Sequence, residues 1–525
     1  MSPTKCWYSN EERCVNVLRL CCSFHPKSFS EVEPRHQTEH SAWETPTPRY
    51  WTSHGYVVVR ADEPGIGQSP GLLNVKSAAS IDAFADLIEW AVDQPWSSGK
   101  IGLLGVSYYA VTQWAVAARN PRGLAAIVPW EGCSDQYNES VRHGGILSNA
   151  FFGWWFQRQV ASNQYGLPGR ASRNWGPDTI EGDLTEGELV ANRVVLTDVL
   201  HTHKYRDDEP FASINFNLED IKVPLLSVAN WGGIMLHLRG NVLGYMKASS
   251  ELKYIRFITG RHDLPFYYPE EVEVQRSFLD AFLKGDDTVG WTMKGKVPPV
   301  DLILRRGNVG YNDPVAERTY LRRSENEWPL ARTRYTQFFL TPDGELLYDK
   351  FTSWKVVKRS YRALGTATPK DTLSFQTRPF FEETEVTGHI VTHLNVSMSR
   401  DRWGQTPSDI DLFVTLRHIS PSGEEIFYTG TAGEPVPIAK GFLRVSLRKT
   451  NPKNPYHHTF LPHRDFLSTD VQPVIPDEVY SVDVDIWPTN VIVAEGGRLV
   501  LDVSSGDTAG TGFWGHNDPN DRLVI

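Results

Sequence analysis

Gly105-Val106-Ser107-Tyr108-Tyr109 stands where a short apolar run gives way to a helical pattern, and a serine at such a corner can act as a nucleophile. The turn lifts the hydroxyl off the sheet, the following backbone N–H points at a developing oxyanion, and the helix N-terminus adds a favourable dipole. Gly105 supplies the small residue that lets strand and helix close, while Tyr109 stands where a second glycine is common. The plainer reading of Ser107 is the N-cap of an ordinary βα unit. A nucleophile of this kind needs a base and an acid, in the chain order Ser, acid, His. His262, directly after the run Tyr254 to Thr259, falls where the base is expected, with His237 and His143 in reserve. The acid is harder to place, because the run Val223 to Ala229 leads into Asn230-Trp231-Gly232-Gly233 and offers no aspartate. Three outcomes are open: Glu131, just past the run Leu124 to Val128; Asp263, whose adjacency to His262 makes mutual aim awkward; or no acid at all. The Tyr108 N–H is the expected oxyanion donor. Trp130, Trp231, Phe152 and Trp155 are the candidates for an apolar acyl pocket, with core packing as the alternative.

The elements that must hold these residues follow from periodicity. Tyr56 to Ala61 reads as a buried parallel strand, followed by a Gly- and Pro-rich turn from Asp62 to Gly71. Ile81, Phe84, Ala85, Ile88 and Val92 recur at helical spacing over Ser80 to Gln94, and Pro95 closes that helix. Strand Lys100 to Val106, helix Tyr108 to Arg119 and strand Leu124 to Val128 continue the cadence of a parallel sheet with helices on both faces. Between about 135 and 210 the rhythm breaks into an aromatic and then polar stretch that suits an inserted helical cap. It returns with strand Val223 to Ala229, helix His237 to Ser250, strand Tyr254 to Thr259 and helix Glu270 to Lys284. Beyond Pro298-Pro299, short alternating runs predict an all-β sandwich. The expected organisation is therefore an irregular lead-in over 1–48, an α/β domain with its cap over 49–297, and a β-sandwich over 298–525.

Composition narrows the function further. The chain has 525 residues with 53 Lys plus Arg against 63 Asp plus Glu, a net charge of −10 that gives no footprint for nucleic acid or anionic lipid. No run of about 18 uncharged apolar residues predicts a membrane span. Val15 to Cys22 is interrupted by Asn16 and Arg19 and does not read as a signal peptide. Four of the five cysteines, Cys6, Cys14, Cys21 and Cys22, crowd the first 22 residues, unlike a disulfide framework, so a reducing cytoplasmic compartment is expected. No metal-ligand constellation and no cofactor motif is found. Gly65-Ile66-Gly67 has the wrong spacing to Gly71 for dinucleotide binding. The expected partner is a small-molecule substrate, and homo-oligomerisation is left open.

Gly105 to Trp114 closely resembles the nucleophile segment of the CocE/NonD family of serine hydrolases, which includes cocaine esterase, α-amino acid ester hydrolases and X-Pro dipeptidyl peptidases. Gly55 to Asp62 with Gly65, Gly67, Ser69 and Gly71 resembles its strand and glycine-rich turn, and Tyr480 to Thr489 with Gly497-Arg498-Leu499 its C-terminal jelly roll. The resemblance covers roughly residues 45–525 and implies an α/β-hydrolase domain, a helical cap and a jelly-roll domain around one site. It also implies hydrolysis of a small-molecule ester or amide through an acyl-enzyme on Ser107, with an aspartate in a Trp-Tyr-Asp-like turn that this chain lacks at 230–233. That gap, with the aromatic cap, motivates a second reading, a non-hydrolytic catalyst (acyl transfer, lyase or cyclisation) on a degenerate site, and a third reading is a binding protein in which the jelly roll acts as a carbohydrate or partner module.

Overall fold

Six strands build the sheet that carries the serine corner in the computed structural model, which describes residues 41–169, 182–350, 356–363, 371–400, 407–512 and 514–522, with strand 14–16 and residues 32 and 34. Strand β1 (Cys14–Asn16) pairs in parallel with β2 (Val58–Arg60), apart from that sheet. The sheet itself runs in the order β3 (Ile101–Val106), β4 (Leu124–Trp130), β5 (Leu225–Asn230), β6 (Lys253–Ile258), β7 (Val300–Leu304) and β8 (Leu321–Glu325). Its first five strands are parallel, and β8 closes the edge antiparallel to β7. β7 and β8, both beyond residue 298, thus join this sheet: Val300, Leu302 and Ile303 of β7 complete its core beside Trp231 and Phe257, and β8 pairs along its edge.

The connecting helices are α1 (Ala78–Val92), α2 (Tyr108–Ala117), α3 (Ala150–Trp155), α4 (Leu238–Lys247) and α5 (Pro269–Leu279). The Ser77 hydroxyl caps α1 by accepting from the Ser80 N–H at 3.2 Å, and Ile81, Ile88 and Ala91 face inward at the predicted spacing. Every residue of α2 is buried. A helix enclosed on all sides needs small residues, and Ala110, Ala115 and Ala117 provide them. The stretch from 142 to 212 contains a two-strand ribbon and the short helices α3, Glu186–Ala191, Leu196–Thr202 and Glu209–Ala212.

Beyond residue 338 the chain is β-rich. Strand Thr384–Val396 pairs antiparallel with Tyr480–Val493, and Asp411–Ile419 lies between Ala439–Arg444 and Arg498–Ser504. One apolar core runs from Trp231, Phe257 and Leu302 into Val414, Ile486 and Val491, so the two sheets share a hydrophobic interior. Arg305 is 1% exposed and stitches them: its Nε donates to the Asn490 carbonyl at 2.8 Å and its Nη2 to the Thr489 hydroxyl at 2.6 Å. Cys6, Cys21 and Cys22, on which the compartment expectation rests, lie outside the described residues, as does most of 1–48. Cys133 is a free, buried thiol. No helix among the described residues is long and apolar enough to cross a membrane.

Trp231 corrects the sequence expectation of a pocket residue. It is 0% exposed, stacks on Phe257 at 4.2 Å and donates its indole N–H to the Ile303 carbonyl at 3.2 Å. Trp130 needs the same correction, being 0% exposed and edge-on to Phe266 at 5.4 Å. Both belong to the core: Trp130 ends β4 and packs with Val106, Val128 and Phe266, and Trp231 directly follows β5 and packs with Phe257. Trp231→Ala is expected to cost about 3–5 kcal/mol of stability through the cavity it leaves. Denaturant unfolding would measure this, and a cost under about 1 kcal/mol would contradict the packing role.

Candidate active site

Ser107 follows β3 and caps α2 with φ 59° and ψ −118°, a conformation a non-glycine residue adopts only when its surroundings impose it. The imposition is visible. The Ser107 N–H donates to the carbonyls of Trp130 (3.1 Å) and Glu131 (3.2 Å), and its own carbonyl accepts from the N–H groups of Ala110 and Val111. Gly105 is required two residues earlier, because a Cβ there would lie 2.6 Å from the Tyr109 Cβ. Ser107 remains partly exposed, whereas Tyr108 and Tyr109 are buried. The Tyr108 N–H is the first of the helix and has no carbonyl one turn earlier to meet.

A second strained corner stands beside the first. Glu131 follows β4 with φ 47°, and its N–H donates to the Val228 carbonyl at 2.8 Å. Asn241 on α4 ties the turn down, accepting from the Gly132 N–H at 2.9 Å and donating to the Pro129 carbonyl at 3.0 Å. The Glu131 carboxylate, fully buried, meets His262 Nδ1 at 3.0 Å through Oε2, and Asn230 Nδ2 donates to Oε1 at 3.2 Å. Of the three outcomes left open for a carboxylate, Glu131 is the one the fold brings to His262. Asp263 turns instead toward Arg261, 3.6 Å away. In the turn after β5, Gly232 has no room for a side chain: a Cβ there would lie 1.8 Å from the Thr429 carbonyl of the β-rich domain. That domain also supports the histidine directly, since the Thr431 carbonyl accepts the His262 N–H at 3.1 Å.

The imidazole that touches Ser107 is a different one. His237, at the start of α4, has Nε2 3.3 Å from Ser107 Oγ, while its Nδ1 accepts the Cys133 backbone N–H at 3.0 Å. An amide always donates, so Nδ1 is bare and the neutral ring carries its proton on Nε2. His237 therefore donates to Oγ in this arrangement. Burial, followed by the charges of His262 and Lys76, holds its pKa well below the ordinary histidine value. His262 stacks on it with ring centroids 5.0 Å apart. The His262 Nε2 lies 3.4 Å from Glu44 Oε1 but without hydrogen-bond geometry. Burial opposes the charged ring, yet Glu131 and then Glu44 outweigh it, and the His262 pKa is pushed up to about 10.

Glu44 was not among the sequence candidates. It comes from the Pro-broken segment before β2, where its carbonyl accepts the Val106 N–H at 3.0 Å and runs that segment along the serine corner. Nothing local in Glu44-Thr45-Pro46 signals this. Of the aromatic candidates, Phe152 and Trp155 on α3 do reach the neighbourhood, with the Trp155 ring 5.8 Å from that of Tyr108. His143 lies elsewhere, its Nδ1 2.8 Å from His516 Nε2 at the seam with the β-rich domain.

A serine held at positive φ between a parallel strand and a buried helix, with a histidine and a carboxylate after neighbouring strands, is the corner of an α/β-hydrolase. Comparison with known proteins narrows the class. Residues 23–262 match the X-Pro dipeptidyl-peptidase (S15 family), and residues 293–523 match the X-Pro dipeptidyl-peptidase C-terminal non-catalytic domain. Cocaine esterase of Rhodococcus sp. is 26% identical over 88% of this chain and 83% of its own. A CocE/NonD family hydrolase from Staphylococcus aureus superposes with a TM-score of 0.75 at 26% identity, over 96% of this chain and 83% of that one. An α-amino acid ester hydrolase shares the fold, with a TM-score of 0.57 at 17% identity over 87% of this chain and 79% of its own. The chain belongs to the CocE/NonD family of serine hydrolases and acts as a hydrolase of ester or peptide bonds.

Proposed function

We propose that the protein hydrolyses a small-molecule ester or amide through an acyl-enzyme on Ser107, with His262 as general base and Glu131 as the carboxylate that orients it. The observation that carries this reading is the 3.0 Å contact between Glu131 Oε2 and His262 Nδ1, with the His262 ring stacked 5.0 Å from that of His237, the imidazole that touches Ser107. Oγ attacks the carbonyl carbon and its proton passes to His262 Nε2. The charge that develops on the carbonyl oxygen meets the Tyr108 N–H. The tetrahedral intermediate collapses, His262 returns the proton to the leaving oxygen or nitrogen, and water repeats the sequence to free the acid and Ser107. His237 donates its Nε2–H to Oγ, which orients the hydroxyl and eases negative charge onto it. The Glu131–His262 pair supports the hydrolytic reading over a non-hydrolytic one, whose motives are the missing aspartate at 230–233 and the aromatic cap.

A second assignment, His237 as the base, is favoured by its contact with Oγ and requires the other tautomer, with the proton on Nδ1 and the Cys133 N–H released. The two separate by pH. A base held at about 10 is scarce at neutral pH, so kcat/KM should climb as pH rises from 7 toward 10. A base well below 6.5 would already be free, and the profile would stay flat over that range. Glu44→Gln removes one of the carboxylates that hold the His262 proton and should move the rise toward lower pH by about one unit or more. A flat profile from pH 7 to 10, with no response to Glu44→Gln, would reassign the base to His237.

A further inference from the structure

Lys76 is an ammonium without a carboxylate. Its Nζ lies 4.6 Å from the centre of the Phe152 ring and 5.7 Å from that of Trp155, both on α3, and it makes no hydrogen bond or ion pair among the described residues. A lysine so placed is unusual, since a charge withdrawn from water normally finds a counter-charge. Its backbone is held deliberately. Lys76 has φ 57°, and its N–H donates at 3.2 Å to the Tyr108 hydroxyl, which in turn donates to Glu63 at 3.0 Å. Tyr108 is the residue that follows the nucleophile. The backbone at residue 76 is thus tied to the residue that supplies the oxyanion N–H, and the charge at the end of its side chain is felt at His237 and at the Cys133 thiol. Glu63 is engaged by the tyrosine, and burial lowers the Lys76 pKa from the ordinary lysine value, a cost that an anion bound beside the amine would offset.

We propose that Lys76 binds a carboxylate of the substrate, and that the protein acts on esters or amides bearing a second, anionic carboxyl group beside an apolar segment laid against Phe152 and Trp155. This rests on the hydrolase reading of Ser107 and names its substrate class. An ammonium with aromatic faces on its flank and one side open offers its N–H donors to an anion, and a charge-assisted bond formed out of water exceeds a neutral one. The same charge repels a substrate that carries its own ammonium.

The test uses three activated esters on the full chain: neutral p-nitrophenyl butyrate, mono-p-nitrophenyl glutarate with its carboxylate on the acyl side, and 4-(butyryloxy)benzoate with its carboxylate on the alcohol side. One of the two anionic esters is expected to be the better substrate of the wild type by kcat/KM. Lys76→Met should lower that preference by about 30-fold while leaving the butyrate within about threefold, and Lys76→Arg should restore most of it. Equal use of all three esters by the wild type would overturn the proposal, and so would a uniform loss in Lys76→Met that Lys76→Arg does not reverse. Failure of a fluorophosphonate to label Ser107 would instead bring down the hydrolase reading beneath it.

Discussion

Ser107→Ala is expected to lower kcat by about 10⁶-fold and to abolish covalent labelling by a fluorophosphonate, with folding preserved. The hydroxyl is the only group lost, and its side-chain partner among the described residues, His237 Nε2, is held in place by the Cys133 N–H on its other nitrogen. Ser107→Gly sharpens the test. Glycine adopts φ 59° without the Cβ penalty, so this variant should be equally inactive yet more stable than wild type by about 1 kcal/mol or more. Activity with an activated ester and the melting temperature are measured on the same samples. Turnover surviving in Ser107→Ala would move the nucleophile elsewhere, and a less stable Ser107→Gly would show that the corner stores no strain.

Glu131→Gln should cost about 10⁴-fold in kcat with KM little changed, because an amide cannot hold the imidazole with its proton on Nδ1 or stabilise the imidazolium that forms. The same change leaves His262 less well compensated inside the protein, and breaking a buried pair costs about 3–5 kcal/mol. Loss of one carboxylate also lowers the His262 pKa from about 10, so the residual activity should rise at a lower pH than in wild type. The sign for stability follows from the same group. A raised histidine pKa stabilises the fold fully below about 6.5 and loses that contribution as pH climbs through 10, and Glu131→Gln should flatten this alkaline decline. If stability fell while kcat and the pH profile stayed put, Glu131 would be a structural partner only. Glu131→Asp keeps the charge but shortens the reach, and partial recovery in that variant would separate the two roles.

The corner at Ser107 and the strands on either side were legible in the sequence because their signals are local. Gly105 two before the serine, β-branched and apolar runs of strand length, and helical spacing over Ser80 to Gln94 each depend on contacts within a few residues. The helix found over Ala78–Val92 and the strand over Ile101–Val106 lie within two residues of those expectations. Trp130 and Trp231 misled for the same local reason: an aromatic residue after a strand looks identical whether the space beyond it is open or filled by a second domain.

The sequence by itself determined the hydrolase architecture, the nucleophile corner and a histidine after the sixth strand, since each is written in spacing and residue type along one segment. Only the tertiary structure decided that Glu131 meets His262, that His237 touches the serine, and that Glu44 and Lys76 stand beside them. Those six residues are spread over more than 200 positions of chain, and their meeting depends on strand order, on two positive-φ turns, and on the Thr429 carbonyl that closes the turn at Gly232. A contact of that kind has no signature in any single stretch, because the free energy that enforces it comes from packing segments far apart in the chain.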